Sequence, residues 1–186
     1  MDNPMNKVRI EKVVINMGVG EAGEELKKGQ KIIEKITGRK AIQTKCKIKQ
    51  PLWGIRPGLP IGVKVTLRNQ KAEEFIKTAL KAKENTLKRK NFDSTGNFGF
   101  GIKEYIDLPG TKYDPALGIK GFNVLVSLEK KGYRIKKRKM NKKKIPEKHR
   151  ITKEDAIEFM KKEFGVEIEW LTKKKLTAKY AKAEEE

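Results

Sequence analysis

From Arg39 to Arg68 inclusive stand eight lysines or arginines and no aspartate or glutamate. Side chains of this type neutralise phosphate and release its counterions. The block runs through alternating apolar residues and a Gly/Pro-rich stretch, so its charge sits on folded structure and makes a shaped site for a polyanion, where a basic tail would be only a solvating arm. With a net charge of +21 over 186 residues, the polyanion best matched is nucleic acid. The alternative is a solvated lysine-rich face without a ligand. A second block spans residues 130 to 150, with twelve Lys or Arg against the single acid Glu147. Lys136, Lys137, Arg138, Lys139, Lys142, Lys143 and Lys144 are its candidate RNA contacts.

Catalysis has less to work with. His149 is the one histidine; it lies between Lys148 and Arg150 with no carboxylate beside it to position it as a general base, and reads as an exposed or RNA-facing residue. Cys46, the one cysteine, has no histidine nearby and reads as a small buried apolar residue. One of each excludes an intrachain disulfide and a zinc site of the usual spacing, and no metal or cofactor is expected. The run Gly96-Asn97-Phe98-Gly99-Phe100-Gly101 lacks the spacing of a nucleotide-binding loop, and its glycines read as permitting positive backbone angles and close packing of Phe98 and Phe100. An RNA-modifying enzyme would need a constellation that is not found. A membrane-surface protein would need a basic helix with a bulky apolar face, whereas Lys136 to Lys144 offers only Met140. No apolar run approaches the roughly 20 residues that cross a bilayer, and the polar start does not resemble a signal peptide. A cytoplasmic protein is expected.

The elements that position the basic residues follow from periodicity. Val13, Ile15 and Met17 alternate with Lys12, Val14 and Asn16, which predicts a half-buried strand over Val8 to Met17 with an irregularity near Glu11, ended by Gly18 and Gly20. Leu26, Ile33 and Ile36, with Ile32 beside them, predict a helix from about Glu24 to Ile36, stopped at Thr37 and Gly38. Residues 40 to 49 read as a strand with Ile42, Cys46 and Ile48 opposed by Gln43, Lys45, Lys47 and Lys49. After a long mobile tip from Gln50 to Pro60, Val63, Val65 and Leu67 alternate with Lys64, Thr66 and Arg68. Ala72, Phe75, Ile76, Ala79 and Leu80 make a helical stripe with Asn69 as N-cap.

Phe92 to Gly121 reads as ordered loop with one strand-like piece at Ile102 to Ile106. Phe122, Val124, Val126 and Leu128 form a strand leading into the basic extension. Thr152 and Asp155 resemble a capping box, with Ile151 and Ala156 stapled across it and Ile157, Met160 and Phe164 on one face before Gly165. The expected fold class is α+β: an antiparallel sheet packed against helices, with a basic extension at 130–150 and a terminal helix. Residues 1–170 form one RNA-binding domain, and 171–186 a disordered charged tail.

The polar face of this sheet would carry Lys12, Asn16, Gln43, Lys45, Lys47, Lys64 and Thr66. Lysines there neutralise phosphates, while Asn, Gln and Thr hydrogen bond to sugar hydroxyls and base edges. Aromatic residues are sparse in these strands, so contacts to the backbone and minor groove of structured RNA are expected.

Several segments then become familiar in order: Asn3-Pro4-Met5, Ile15-Asn16-Met17-Gly18-Val19-Gly20-Glu21, Gly54-Ile55-Arg56, Pro60-Ile61-Gly62 and Lys64-Val65-Thr66-Leu67-Arg68. They continue with Phe92 to Ile102, Lys112-Tyr113-Asp114-Pro115 and Lys148-His149-Arg150-Ile151. Over residues 3 to 165 the chain resembles large-subunit ribosomal protein family number five, numbered eleven in eukaryotes, in its archaeal and eukaryotic form. The tail after Leu171 carries no segment of this resemblance.

The resemblance implies a non-catalytic constituent of the central protuberance whose sheet face binds 5S ribosomal RNA and helps attach it. The family's strand-end Asn and motif Thr map onto Asn16 and Thr66; Arg39, Lys45 and Lys64 are added from charge and expected facing, and Lys12, Gln43, Lys47 and Arg68 complete the candidate ribosomal RNA contacts. The loop from Gln50 to Leu59 resembles the one that approaches the elbow of the P-site tRNA. Its candidate residues are Trp53, Gly54, Ile55, Arg56 and Gly58, with Trp53 either a contact or an anchor of the loop on its own strands. The implied partners are 5S and large-subunit ribosomal RNA, P-site tRNA, neighbouring central-protuberance proteins and, through Asp107 to Gly121, the small subunit. No membrane partner is expected.

Overall fold

The computed structural model describes residues 3–169, so the expected tail at 171–186 lies outside the described residues. In chain order the elements are β1 (Val8–Gly18), α1 (Glu24–Thr37), β2 (Ile42–Lys45), β3 (Pro60–Leu67), α2 (Gln70–Lys81), β4 (Thr86–Lys88), β5 (Phe98–Ile102), β6 (Phe122–Lys130), α3 (Arg134–Lys137), α4 (Lys153–Phe164) and β7 (Glu167–Glu169). The fold is α+β, as expected. Five strands form one antiparallel sheet in the order β2-β3-β1-β6-β5, and β4 pairs with β7 in parallel.

Alternation decides which face is covered. Val13, Ile15 and Met17 of β1 are buried together with Val63, Val65 and Leu67 of β3, Phe98, Phe100 and Ile102 of β5, and Phe122, Val124 and Val126 of β6. Helices α1, α2 and α4 lay Leu26, Ile32, Ile33, Ala72, Ile76, Leu80, Ala156 and Met160 into the same core. Gly29 lets α1 approach closely, because a Cβ there would stand 3.1 Å from Met17 Sδ. The opposite face has no such cover: Lys64, Thr66, Asn123 and Leu125 are exposed on it.

The irregularity expected near Glu11 is a bulge. The β1–β6 register shifts between Ile10 and Lys12, placing two β1 residues where β6 supplies one. The Thr152–Asp155 capping box is present in both directions, and α4 closes on Gly165 at φ 62°. Asn69 precedes α2, but its side chain makes no capping bond. Its φ of 57° supplies the reason for an asparagine there, since Asn tolerates positive φ better than most residues.

Three expectations change. The strand of the 92–121 segment is β5 at Phe98–Ile102, upstream of the expected piece; Tyr105–Asp107 is a single 3₁₀ turn. Of Gly96, Gly99 and Gly101, only Gly96 has positive φ, at 76°. Gly99 and Gly101 are glycine for packing, because a Cβ on Gly99 would meet Leu125 Cδ2 at 2.7 Å. The 40–49 strand is confined to Ile42–Lys45, and Ile42 and Ile48 are exposed where burial was expected. As an edge strand β2 pairs with β3 alone among the described strands, and the β3 register sets its facing. β4 and β7 were not expected; three residues each is too short for a periodic signal.

Candidate nucleic-acid interface

The register assembles the open face residue by residue. In β1, Asn16 lies beside Lys64 of β3 on one side and Asn123 of β6 on the other. Val14 lies between Thr66 and Leu125 in the same way, and Lys12 stands opposite Ser127. Asn16, Lys64, Thr66 and Asn123 therefore form one contiguous polar patch, edged by the exposed Leu125. On the β2 side Ile42 adjoins Lys64 and Thr44 adjoins Gly62. A Cβ on Gly62 would stand 2.8 Å from Thr44 Oγ1, so the glycine keeps the two strands close. After a second register shift Lys45 pairs with Pro60, which shares the open-face parity of Gly62 and Lys64.

Gln43 does not join this patch. It pairs with the buried Val63 and so faces the helical side, where its Nε2 donates to Gln30 Oε1 of α1 at 3.3 Å. The facing expected from its sequence is one residue out of step, and such a slip inverts every side chain of a strand. Arg39 is exposed in the α1–β2 connection, and Lys47 lies just beyond β2. Arg68 sits at the bulge, its guanidinium 4.0 Å from Glu11 Oε1. Asn123, Leu125, Ile42 and Thr44 belong to the face without having been expected there; alternation in β6 alone would have found the first two.

The tip loop is tied at its neck. Gln50 and Ile55 exchange backbone hydrogen bonds of 3.0 and 3.1 Å, and Gly58 donates to Cys46 O at 2.9 Å. Pro51–Trp53 makes a 3₁₀ turn capped by Gly54 at φ 65°. The turn presents Leu52 at 93% and Trp53 at 74% exposure, so Trp53 does not anchor the loop; Ile55, at 8%, faces inward instead of outward. Arg56 is exposed. Cys46 is half-buried, not part of the core, and its thiol donates to Ile48 O at 2.9 Å.

The basic extension folds back on the domain. Lys137 Nζ lies 2.8 Å from both Glu11 and Glu129, and Arg9 reaches Glu129 at 2.7 Å. Burial alone would raise the Glu129 carboxyl, but hydrogen bonds from Lys137 and Arg9 prevail and hold it below the usual range. Tyr133 Oη accepts from Ile151 N at 3.0 Å and donates to His149 O at 3.1 Å. His149 Nε2 meets Lys131 O at 2.8 Å, and its ring stands edge-on to Tyr133, so the side chain is half-buried and packed on the extension. Arg138 Nε donates to Asn141 O at 2.8 Å. Lys136, Lys139, Lys142, Lys143 and Lys144 point their charge outward.

What this arrangement can do is hold a polyanion. Cations border an open face of amides, hydroxyls and aliphatic side chains. No group of three or more His, Cys, Asp or Glu among the described residues is arranged to hold a metal ion, and no described helix is long and apolar enough to cross a membrane.

Comparison with known proteins gives a family. Residues 3–56 match the model for ribosomal protein L5, and residues 60–183 match the model for the C-terminus of the same ribosomal family, a span that enters the tail in which no resemblance was seen. The large ribosomal subunit protein uL5 of Methanococcus maripaludis is 52% identical over 168 residues, covering 89% of this chain and 93% of the relative. That of Methanoregula boonei is 52% identical over 164 residues, 88% and 99% of the two chains. That of Nanoarchaeum equitans is 48% identical over 169 residues, 90% and 99%. The chain therefore belongs to the uL5 family, the structural and non-enzymatic proteins of the large subunit of the cytoplasmic ribosome.

Proposed function

We propose that the open sheet face binds 5S ribosomal RNA and helps attach it in the central protuberance, with residues 1–170 acting as one RNA-binding unit. The observation that carries this reading is the contiguity of Asn16, Lys64, Thr66 and Asn123 on the face that the helices leave uncovered. Lys64, with Lys12 and Lys45 at the margins, neutralises phosphate. Asn16, Asn123 and Thr66 donate to or accept from 2′-hydroxyls and minor-groove base edges. Leu125, Val14 and Ile42 cover the apolar sugar and base surfaces between them.

The remaining contacts follow from position. The exposed lysines of the extension, with Arg39, Lys47 and Arg68, face neighbouring large-subunit RNA. The Leu52–Trp53 tip reaches the elbow of P-site tRNA, where an exposed indole stacks on a base. Asp107 to Gly121 meets the small subunit, and adjacent central-protuberance proteins complete the surroundings.

The test is binding to 5S RNA against tRNA and a length-matched duplex, for wild type and for Asn16→Ala with Thr66→Ala. Selective binding that the double substitution weakens without unfolding supports the site. Equal binding to all three RNAs, unchanged by the substitutions, refutes it. If about six phosphates are neutralised, log affinity falls against log salt with a slope of roughly −4 to −5.

A further inference from the structure

A second groove lies at the outer edge of β5, beyond the bridge between Phe98 and Phe92. It holds about 310 Å³ between the end of α2, β4, the turn that follows β4, and β5 itself. Lys83, Lys88, Lys90 and Asn91 line one wall, and the β5 backbone at Gly99 and Gly101 lines the other; none of the lining residues is acidic. Gly101 is exposed and Gly99 half-buried, so the strand backbone itself is accessible along that wall.

The cations here are little engaged. Lys83 and Lys90 make no ion pair among the described residues. Lys88 approaches Glu169 of β7 at 3.9 Å, with both side chains about half exposed (53% and 54%), a pair weak enough to yield to a phosphate. Gly99 and Gly101 also pair with Leu125 and Asn123, so they belong to the open face as well as to the groove. That wall of the groove is thus continuous with the proposed RNA-binding surface around the sheet edge.

We infer that this groove is a second phosphate track, in which Lys83, Lys88 and Lys90 neutralise consecutive phosphates of an RNA strand passing off the open face and Asn91 hydrogen bonds to the same backbone. The inference rests on the reading that the open face binds RNA. Continuity with that face, together with the absence of acids among the lining residues, favours an RNA backbone over an acidic peptide. Because only phosphates are met, the groove adds affinity and orientation without reading sequence.

The experiment measures binding to deproteinised large-subunit ribosomal RNA, 5S included, as a function of salt. Wild type is compared with Lys83→Gln plus Lys90→Gln, with a charge-matched control on exposed α2 positions, Lys77→Gln plus Lys81→Gln, and with Asn16→Ala plus Thr66→Ala; circular dichroism establishes that each is folded. The groove variant is expected to lose about 1.4 to 1.8 from the salt slope, two phosphates at 0.7 to 0.9 each. The control should lose less than half of that. If both lysine pairs lose slope equally, or neither does, while the open-face variant still weakens binding, the groove is refuted and the face stands. If wild type itself shows no selective ribosomal RNA binding, the face reading fails first, and the groove with it.

Discussion

Lys137 Nζ lies 2.8 Å from Glu11 Oε1, and this pair fastens the basic extension to the bulge of β1. The side chains of Glu11 and Glu129 are only 14% and 12% exposed, yet both accept from Lys137. The bulge directs Glu11 out of the strand's alternation to receive it.

Replacing Lys137 with methionine leaves Glu11 with Lys12 at 3.6 Å and Glu129 with Arg9 at 2.7 Å. Neither carboxylate is orphaned. The expected cost is therefore about 1 kcal/mol, well below the roughly 3–5 kcal/mol of an uncompensated buried charge. Urea denaturation measures it, and amide exchange should quicken through residues 134–149; unchanged exchange there would mean the extension is held by something else.

Acid should loosen the protein in a defined window. Hydrogen bonds from Lys120 at 2.6 Å and then Lys28 at 2.7 Å hold the Glu25 carboxyl down at about 2, against 4.5 for a free glutamate. A folded value below the unfolded one means that the unfolded chain binds more protons, so the contribution is full above pH 4.5 and is lost as pH falls towards 2. Asp155 carries the same sign: burial would raise it, and hydrogen bonds from Thr152 and Lys130 outweigh that. The melting temperature is expected to fall across this window, and to fall less steeply in Glu25→Gln. An identical slope in the variant would remove Glu25 from the account.

Gly96→Ala is expected to destabilise by about 2–4 kcal/mol, combining a left-handed backbone with overpacking. Gly96 holds φ at 76°, and a Cβ there would press into the Ile151 side chain, itself buried at the start of α4. A loss under about 1 kcal/mol in thermal or urea unfolding would show that the α4 entry can shift to make room.

Trp53 and Ile55, two residues apart, should behave oppositely. Trp53→Ala is expected to change stability by less than about 0.5 kcal/mol, because so exposed a ring packs on little, and, on the proposed tRNA contact, to reduce crosslinking of the loop to P-site tRNA. Ile55→Ala should speed exchange of the Gln50 and Ile55 amides that close the neck. A Trp53→Ala protein that melts early would contradict the exposed placement.

Much of the fold was legible because its code is local. Strand alternation in β1, β3 and β6, the apolar stripe of α2 and the Thr152–Asp155 box each announce themselves within a dozen residues. Even the bulge showed, as a break in alternation at Glu11. What failed to show depends on partners far away in sequence. Gln43 reads as outward until the β3 register sets it against Val63. β5 hides among glycines whose purpose is visible only under Leu125. The fold-back of the extension needs Glu11, more than a hundred residues upstream of Lys137, while the β5 groove, built from residues 83–91 against 99–101, shows only once those two stretches are folded together.

The strand order also sets a schedule for synthesis. β1 is made first yet occupies the middle of the sheet, between β3 and β6. β3 can cover one side soon after the chain emerges, but β6 begins only at Phe122, about a hundred residues after β1 ends. At 5–20 residues per second a nascent chain waits roughly 5–20 s for that partner. Throughout the wait the strand destined for the interior is an edge, with its backbone donors and acceptors open to any neighbouring strand. The centre of this sheet is thus its most vulnerable part while the protein is being made.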